Sequence, residues 1–158
     1  MLSNPISAKI VDFIERIGLP VWYRAIDDPT VLPGIDTRDG GLVIDETRML
    51  YPGDLLHEAG HLAVLTPEER NVSRPDLSQP AGELGAIAWS WAAAVHLQID
   101  PRIVFHPHGY RGGSDALIEN FEAGRFIGVP FLGWIGLTSV PTYPQMRMWL
   151  RASPHSQL

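Results

Sequence analysis

The pentapeptide His57-Glu58-Ala59-Gly60-His61 combines the residue types and the spacing that water activation at a metal ion requires. On a helix, side chains four positions apart stand on one face, so the two imidazoles converge on a single ion. Glu58, beside the first histidine, then lies within reach of a water on that ion. A carboxylate there takes the water's proton and later returns it to a leaving group. The flanking residues favour such a helix. Pro52-Gly53-Asp54 supplies a start, with Asp54 as N-cap or first-turn acid, and Thr66-Pro67 closes the run. Leu55, Leu56, Ala59, Leu62, Ala63 and Leu65 give it an apolar periphery. Gly60 lowers helix propensity by about 1 kcal/mol relative to Ala. That cost fits either a close approach to the helix or a packing demand.

A catalytic zinc ion takes three protein ligands and leaves the fourth position to water, so two histidines need a third partner. The metzincin pattern would place Gly at 64 and His at 67, where this chain has Val64 and Pro67. With no cysteine in the chain, thiolate ligands and a peptide-deformylase-type site are excluded. The remaining common solution is a glutamate on a second helix, and Glu83 is the candidate. It opens the apolar run 80–95 behind Ser78, Gln79 and Pro80, and is the only charged residue between Asp76 and Asp100. A first-turn acid complementing the helix dipole is the alternative reading of Glu83. His106 or His108 would then be next in line as ligand.

The order His57-Glu58-x-x-His61, a loop, then Glu83 on a small-residue-rich helix resembles the gluzincin metallopeptidases. The spacing is close to that of thermolysin-like enzymes. The chain's size and the Glu83-x-x-Ala86 pattern are more similar to minimal gluzincins and ImmA/IrrE-type peptidases. The resemblance covers about residues 41 to 95 and is specific at four positions. It implies an α+β, zincin-like fold in which two ligand-bearing helices pack on a small mixed sheet. It also implies Zn²⁺ on His57, His61 and Glu83, with Glu58 as base. By the same resemblance, the strand from Leu42 to Glu46 is the edge on which an extended peptide adds as a further strand; a plain core strand is the alternative. Two departures stand out. Ile87 occupies the position where thermolysin-like enzymes carry an acid that orients a histidine, leaving Asp45, Asp54 and Asp100 as candidates for that task. The substrate-binding subdomain of larger members has no room here.

The second densest group of functional side chains is His106-Pro107-His108-Gly109-Tyr110-Arg111-Gly112-Gly113. A hydrolase of this class needs a donor for the oxyanion that develops on the scissile carbonyl. A Gly-rich loop carrying His, Tyr or Arg can supply one, with Tyr110 and His108 ahead of Arg111.

These residues need a scaffold, and 158 residues with 45% hydrophobic content suffice for one core and one domain, 1–158. Periodicity predicts an amphipathic helix from Pro5 to Gly18, strand-like residues from Val21 to Ile26, and a short strand at Gly41–Asp45. A polar, exposed loop is expected at 68–79, a short strand at 103–105, and a helix at 114–126 with Glu119 and Glu122 outward. A loosely ordered tail, including His155, is expected after Leu150. The apolar runs at 84–99 and 127–140 read as core rather than membrane spans, being short or broken by Pro130, Gly133 and Gly136. A net charge of −6 argues against nucleic acid or an anionic membrane as partner. The start of the chain lacks a signal layout, so a cytoplasmic location is expected. The expected partner is a peptide or protein substrate of a zinc-dependent amide hydrolase. The alternative is a non-catalytic scaffold that binds a partner protein, with its metal structural or absent. Glu58 leans toward catalysis, since a structural site has no use for it.

Overall fold

Apolar positions at Ile6, Ile10, Phe13 and Ile14 give the first helix, α1 (Pro5–Arg16), one buried face. Asn4 caps it, its side-chain oxygen accepting from the N–H groups of Ile6 at 2.8 Å and Ser7 at 3.3 Å. The computed structural model describes residues 2–153; His155 and the other residues beyond 153 lie outside them. Among the described residues the chain is α+β, with seven α-helices and one three-stranded mixed sheet.

The strands are β1 (Val21–Tyr23), β2 (Ile35–Arg38) and β3 (Gly41–Ile44), in the order β1-β3-β2. β3 pairs parallel with β1, Val21 opposite Leu42, and antiparallel with β2, Ile35 opposite Ile44. All four β3 residues are buried, as expected of a strand covered on both faces. This corrects one expectation: the segment from Leu42 is the central strand, and the edge beside the metal helix is β2. The edge expectation for β3 comes from the resemblance; the alternative, a plain core strand, is the one observed. The polar β2 residues, Asp36, Thr37 and Arg38, are only partly covered.

The helix bearing the pentapeptide is α2 (Asp54–Ala63), and α4 (Pro80–Leu97) crosses it. Their approach depends on Gly60. A Cβ there would lie 3.1 Å from the Cα and carbonyl oxygen of Ala86 and 3.2 Å from the Trp89 ring. The close-approach reading of Gly60 is thus the structural one. At the other end of α2, a Cβ on Gly53 would fall 2.0 Å from the Ile103 carbonyl oxygen, so glycine lets the helix start against α5 (Pro101–Val104). That one-turn helix replaces the strand expected at 103–105. Asp100 accepts from the Arg102 N–H at 2.9 Å, and Pro101 suits the first turn.

The carboxyl end of α2 is closed by two arginines. Arg70 donates to the carbonyls of Leu62 at 2.8 Å and Leu65 at 2.9 Å, and also to that of Arg151 at 3.1 Å. Arg70 ends α3 (Pro67–Arg70), whose start at Thr66 and Glu69 forms a capping box. It is therefore a buried residue inside a stretch that reads as exposed loop. The Arg151 N–H and guanidinium donate to the carbonyls of Ala63 at 2.9 Å and Val64 at 3.1 Å. Trp149 stacks edge-on against Phe13 and Trp89 and accepts from the indole N–H of Trp89 at 2.9 Å. The segment after Leu150, as far as Ser153, is tied down rather than loose.

Two further helices, α6 (Ser114–Glu122) and α7 (Val129–Trp134), complete the core through Ile118, Phe121, Val129 and Leu132. Glu119 and Glu122 face solvent. Among the described residues no helix is long and apolar enough to cross a membrane.

Candidate metal centre

His57 and His61 leave α2 on the face turned toward the amino end of α4, where Glu83 sits in the first turn. His61 Nε2 lies 2.7 Å and His57 Nε2 3.4 Å from Glu83 Oε2. One potential ligand atom from each of the three lies within 4.8 Å of the others. The two imidazoles are nearly perpendicular, with ring centroids 4.8 Å apart, so their Nε2 atoms approach one point from different directions. The donor set of two imidazole nitrogens and one carboxylate oxygen suits zinc. Two ligands at tetrahedral zinc stand about 3.3 Å apart, which the His57–Glu83 distance already matches. The His61–Glu83 distance is that of a direct hydrogen bond and would open slightly around an ion.

The two histidines and Glu83 are electrostatically coupled. The His57 and His61 imidazoles hold the Glu83 carboxyl far below the usual carboxylate range, against the opposing effect of burial. Burial pulls His57 down, but the hydrogen bond and charge of Glu83, with Glu58 and Asp54 behind them, leave it raised. Glu58 is buried beside the pair. Burial pushes its carboxyl above the usual range; His57 and His61 pull it down, and Asp54 and Glu83 add to the rise.

Tyr110 approaches His57 from the side away from Glu83. Its hydroxyl lies 3.0 Å from His57 Nδ1, with the rings perpendicular at 5.2 Å. A hydrogen on Nδ1 donated to this oxygen leaves the Nε2 lone pair free for a metal. Tyr110 and Arg111 take φ values of +54° and +52°, a left-handed conformation that costs a non-glycine residue about 1 kcal/mol or more. Burial raises the Tyr110 hydroxyl well above its ordinary pKa, and the carboxylates of Glu83, Asp54 and Glu58 act in the same direction, so it stays protonated. Sequence reasoning named Tyr110 for an oxyanion; here its hydroxyl faces His57, one of the candidate ligands. The perpendicular ring contact had no signal in the sequence.

The other named residues fall further out. His108 is exposed and stacks on Tyr51 at 5.5 Å. His106 is buried and donates from Nε2 to Asp54 Oδ1 at 2.7 Å, which removes it as a third ligand. Asp54 follows the N-cap Gly53. Asp54 Oδ2 and His106 Nδ1 have no hydrogen-bond partner and are buried. Asp45 accepts from Ile26 and Thr47, and Asp100 caps α5. Neither bonds to His57 or His61.

Two cavities meet at the cluster. One, about 420 Å³, runs past β2 and is lined by Ile35, Thr37, Glu58 and His61; the other, about 720 Å³, runs past Tyr110 toward Leu117 of α6. His57, Glu83, Leu32 and Leu77 line both. The cluster therefore sits at the middle of a cleft, with one side open to solvent.

Fold and site together define an α+β protein with a His-His-Glu cluster beside a buried glutamate. No family model, no curated protein and no solved structure matches the chain. Its functional reading rests on the site itself.

Proposed function

We propose that the chain is a zinc-dependent hydrolase of peptide or amide bonds, with the gluzincin arrangement of a minimal zincin. The observation that carries this reading is the convergence of His57, His61 and Glu83 within 4.8 Å, with Glu58 on the same cavity wall. His57, His61 and Glu83 would hold the ion. Bound there, zinc supplies a Lewis acid that acidifies water and polarises the scissile carbonyl. Glu58 would accept the proton of the attacking water and return it to the departing nitrogen. The water's oxygen forms the new bond to carbon and the C–N bond breaks, so the products are a carboxylate and an amine. Tyr110 keeps the His57 ring in the orientation that presents Nε2.

An extended peptide would lie along β2. The Asp45 N–H donates to the Gly34 carbonyl at 2.9 Å. By antiparallel alternation Ile35 and Thr37 then turn their backbone groups away from β3, toward the cleft side. Their N–H groups are satisfied within the chain, by Leu32 O and by the Asp36 carboxylate. Their carbonyls are left to accept from a substrate.

Digestion of a peptide library with and without a chelator tests the reading. Wild-type protein should cleave only without chelator, and Glu58→Gln should not cleave at all. Cleavage that survives both would contradict the proposal.

A further inference from the structure

The larger cavity holds one group that the metal centre does not use. Arg111 lines it and, among the described residues, is the only lysine or arginine lining either cavity of the cleft. Among the described residues no carboxylate forms an ion pair with it. The cleft's remaining charges are acidic and otherwise engaged. Glu58 and Glu83 belong to the metal centre. Asp54 is bonded to His106 through one oxygen and sealed from solvent at the other. Asp36 and Asp76 line the smaller cavity and not the larger.

The Arg111 side chain is exposed, and its backbone is positioned by its neighbour. Arg111 follows Tyr110, whose ring is fixed against His57, and both residues share the left-handed turn. Beside it the cavity wall is aliphatic, formed by Leu32, Leu77, Ile87 and Leu117. A cation on an aliphatic cavity selects an anion attached to an apolar body. In a peptide, a C-terminal apolar residue offers both, and a guanidinium pairs with a carboxylate in bidentate geometry.

We propose that this cavity takes the C-terminal residue of the substrate, its side chain against the aliphatic wall and its α-carboxylate on Arg111, so that hydrolysis releases amino acids from the end of a peptide. The inference rests on the hydrolase reading above and deepens it. An acidic side chain inside a peptide would offer the same carboxylate, and the test separates the two sources.

Three peptides are compared: one ending in leucine as the free acid, its C-terminal amide, and an amide with glutamate in place of the leucine. Wild-type protein should favour the free acid by about tenfold or more in kcat/KM, carried by KM. In Arg111→Asn, chosen because asparagine tolerates the left-handed conformation, that preference should fall to near one. Arg111→Lys should lie between. Equal cleavage of acid and amide overturns the inference while leaving the hydrolase standing, as does a preference that survives Arg111→Asn. Preference for the glutamate amide overturns the C-terminal assignment in favour of a side chain. Cleavage of none counts against the hydrolase reading alone. A calorimetric arm then decides the inference without turnover: Glu58→Gln protein should bind N-acetyl-leucine about tenfold more tightly than N-acetyl-leucinamide, and equal binding overturns it.

Discussion

The hydroxyl of Tyr110 meets Nδ1 of His57 at 3.0 Å across 53 positions of chain. It is the one side-chain hydrogen bond, among those of the described residues, that links the glycine-rich loop to the candidate metal ligands. The loop thereby helps to set the direction of one imidazole.

Removing that oxygen should therefore act on the metal and spare the fold. Tyr110→Phe keeps the ring that packs on Phe105 at 5.2 Å. Partners of ligand histidines are typically worth 10- to 100-fold in affinity, so zinc binding should weaken by about tenfold. Competition against a chelating dye measures this, with thermal unfolding of the metal-free protein as control. Unchanged affinity would reduce Tyr110 to a packing residue.

Gly60→Ala should be destabilising despite a better helix former. The substitution recovers about 1 kcal/mol of propensity. The new Cβ, however, would meet the Ala86 backbone at 3.1 Å, and helix backbone yields less readily than a flexible side chain. Overpacking typically costs 1–3 kcal/mol, so a net loss of about 1 kcal/mol is expected in urea unfolding. Zinc affinity should fall with it, because the same contact sets the distance from His61 to Glu83.

Arg70→Ala should cost about 3 kcal/mol, since it strips three carbonyls of a charged donor, two of them at the end of α2. Arg70→Lys offers a single nitrogen where Nε and Nη2 now share the three carbonyls, and should recover only part of the loss. Denaturant midpoints at constant slope check both.

Acid stability should depend on Asp45. Hydrogen bonds from Thr47 and Ile26, with Arg48 nearby, hold its carboxyl below the usual range, and burial opposes them only in part. A lowered folded-state pKa contributes stability that is complete above the unfolded value of about 4 and fades as pH drops through the folded one. Asp45→Asn should therefore flatten the loss of stability as pH falls below the unfolded value of about 4. An unchanged acid profile would show that Asp45 binds its proton alike in both states.

The ligand helices were legible because their signals are local. The spacing of His57 and His61, the proline starts, and a lone acid in an apolar helix all lie within one or two turns. The sheet order was not. β3 was expected at the edge by resemblance alone, while β2 hid behind Asp36, Thr37 and Arg38, residues that a partly covered edge strand tolerates. At 103–105, β-branched residues suggested a strand, and the Asp100-Pro101 start outweighed them. Arg70 was lost among polar neighbours because only the tertiary position of three carbonyls explains its burial. Tyr110 and Asp54 were both noticed, but their partners, His57 and His106, are 53 and 52 positions away. No periodicity reports pairs so distant.

The central claim is that His57, His61 and Glu83 form one cation site beside Glu58. Calorimetric zinc titration of the wild type, Glu83→Ala and Glu58→Gln proteins tests it most directly. One ion per chain should bind the wild type and Glu58→Gln with similar affinity, and Glu83→Ala should bind at least about tenfold more weakly. Equal binding by all three, or no binding by the wild type, would contradict the account.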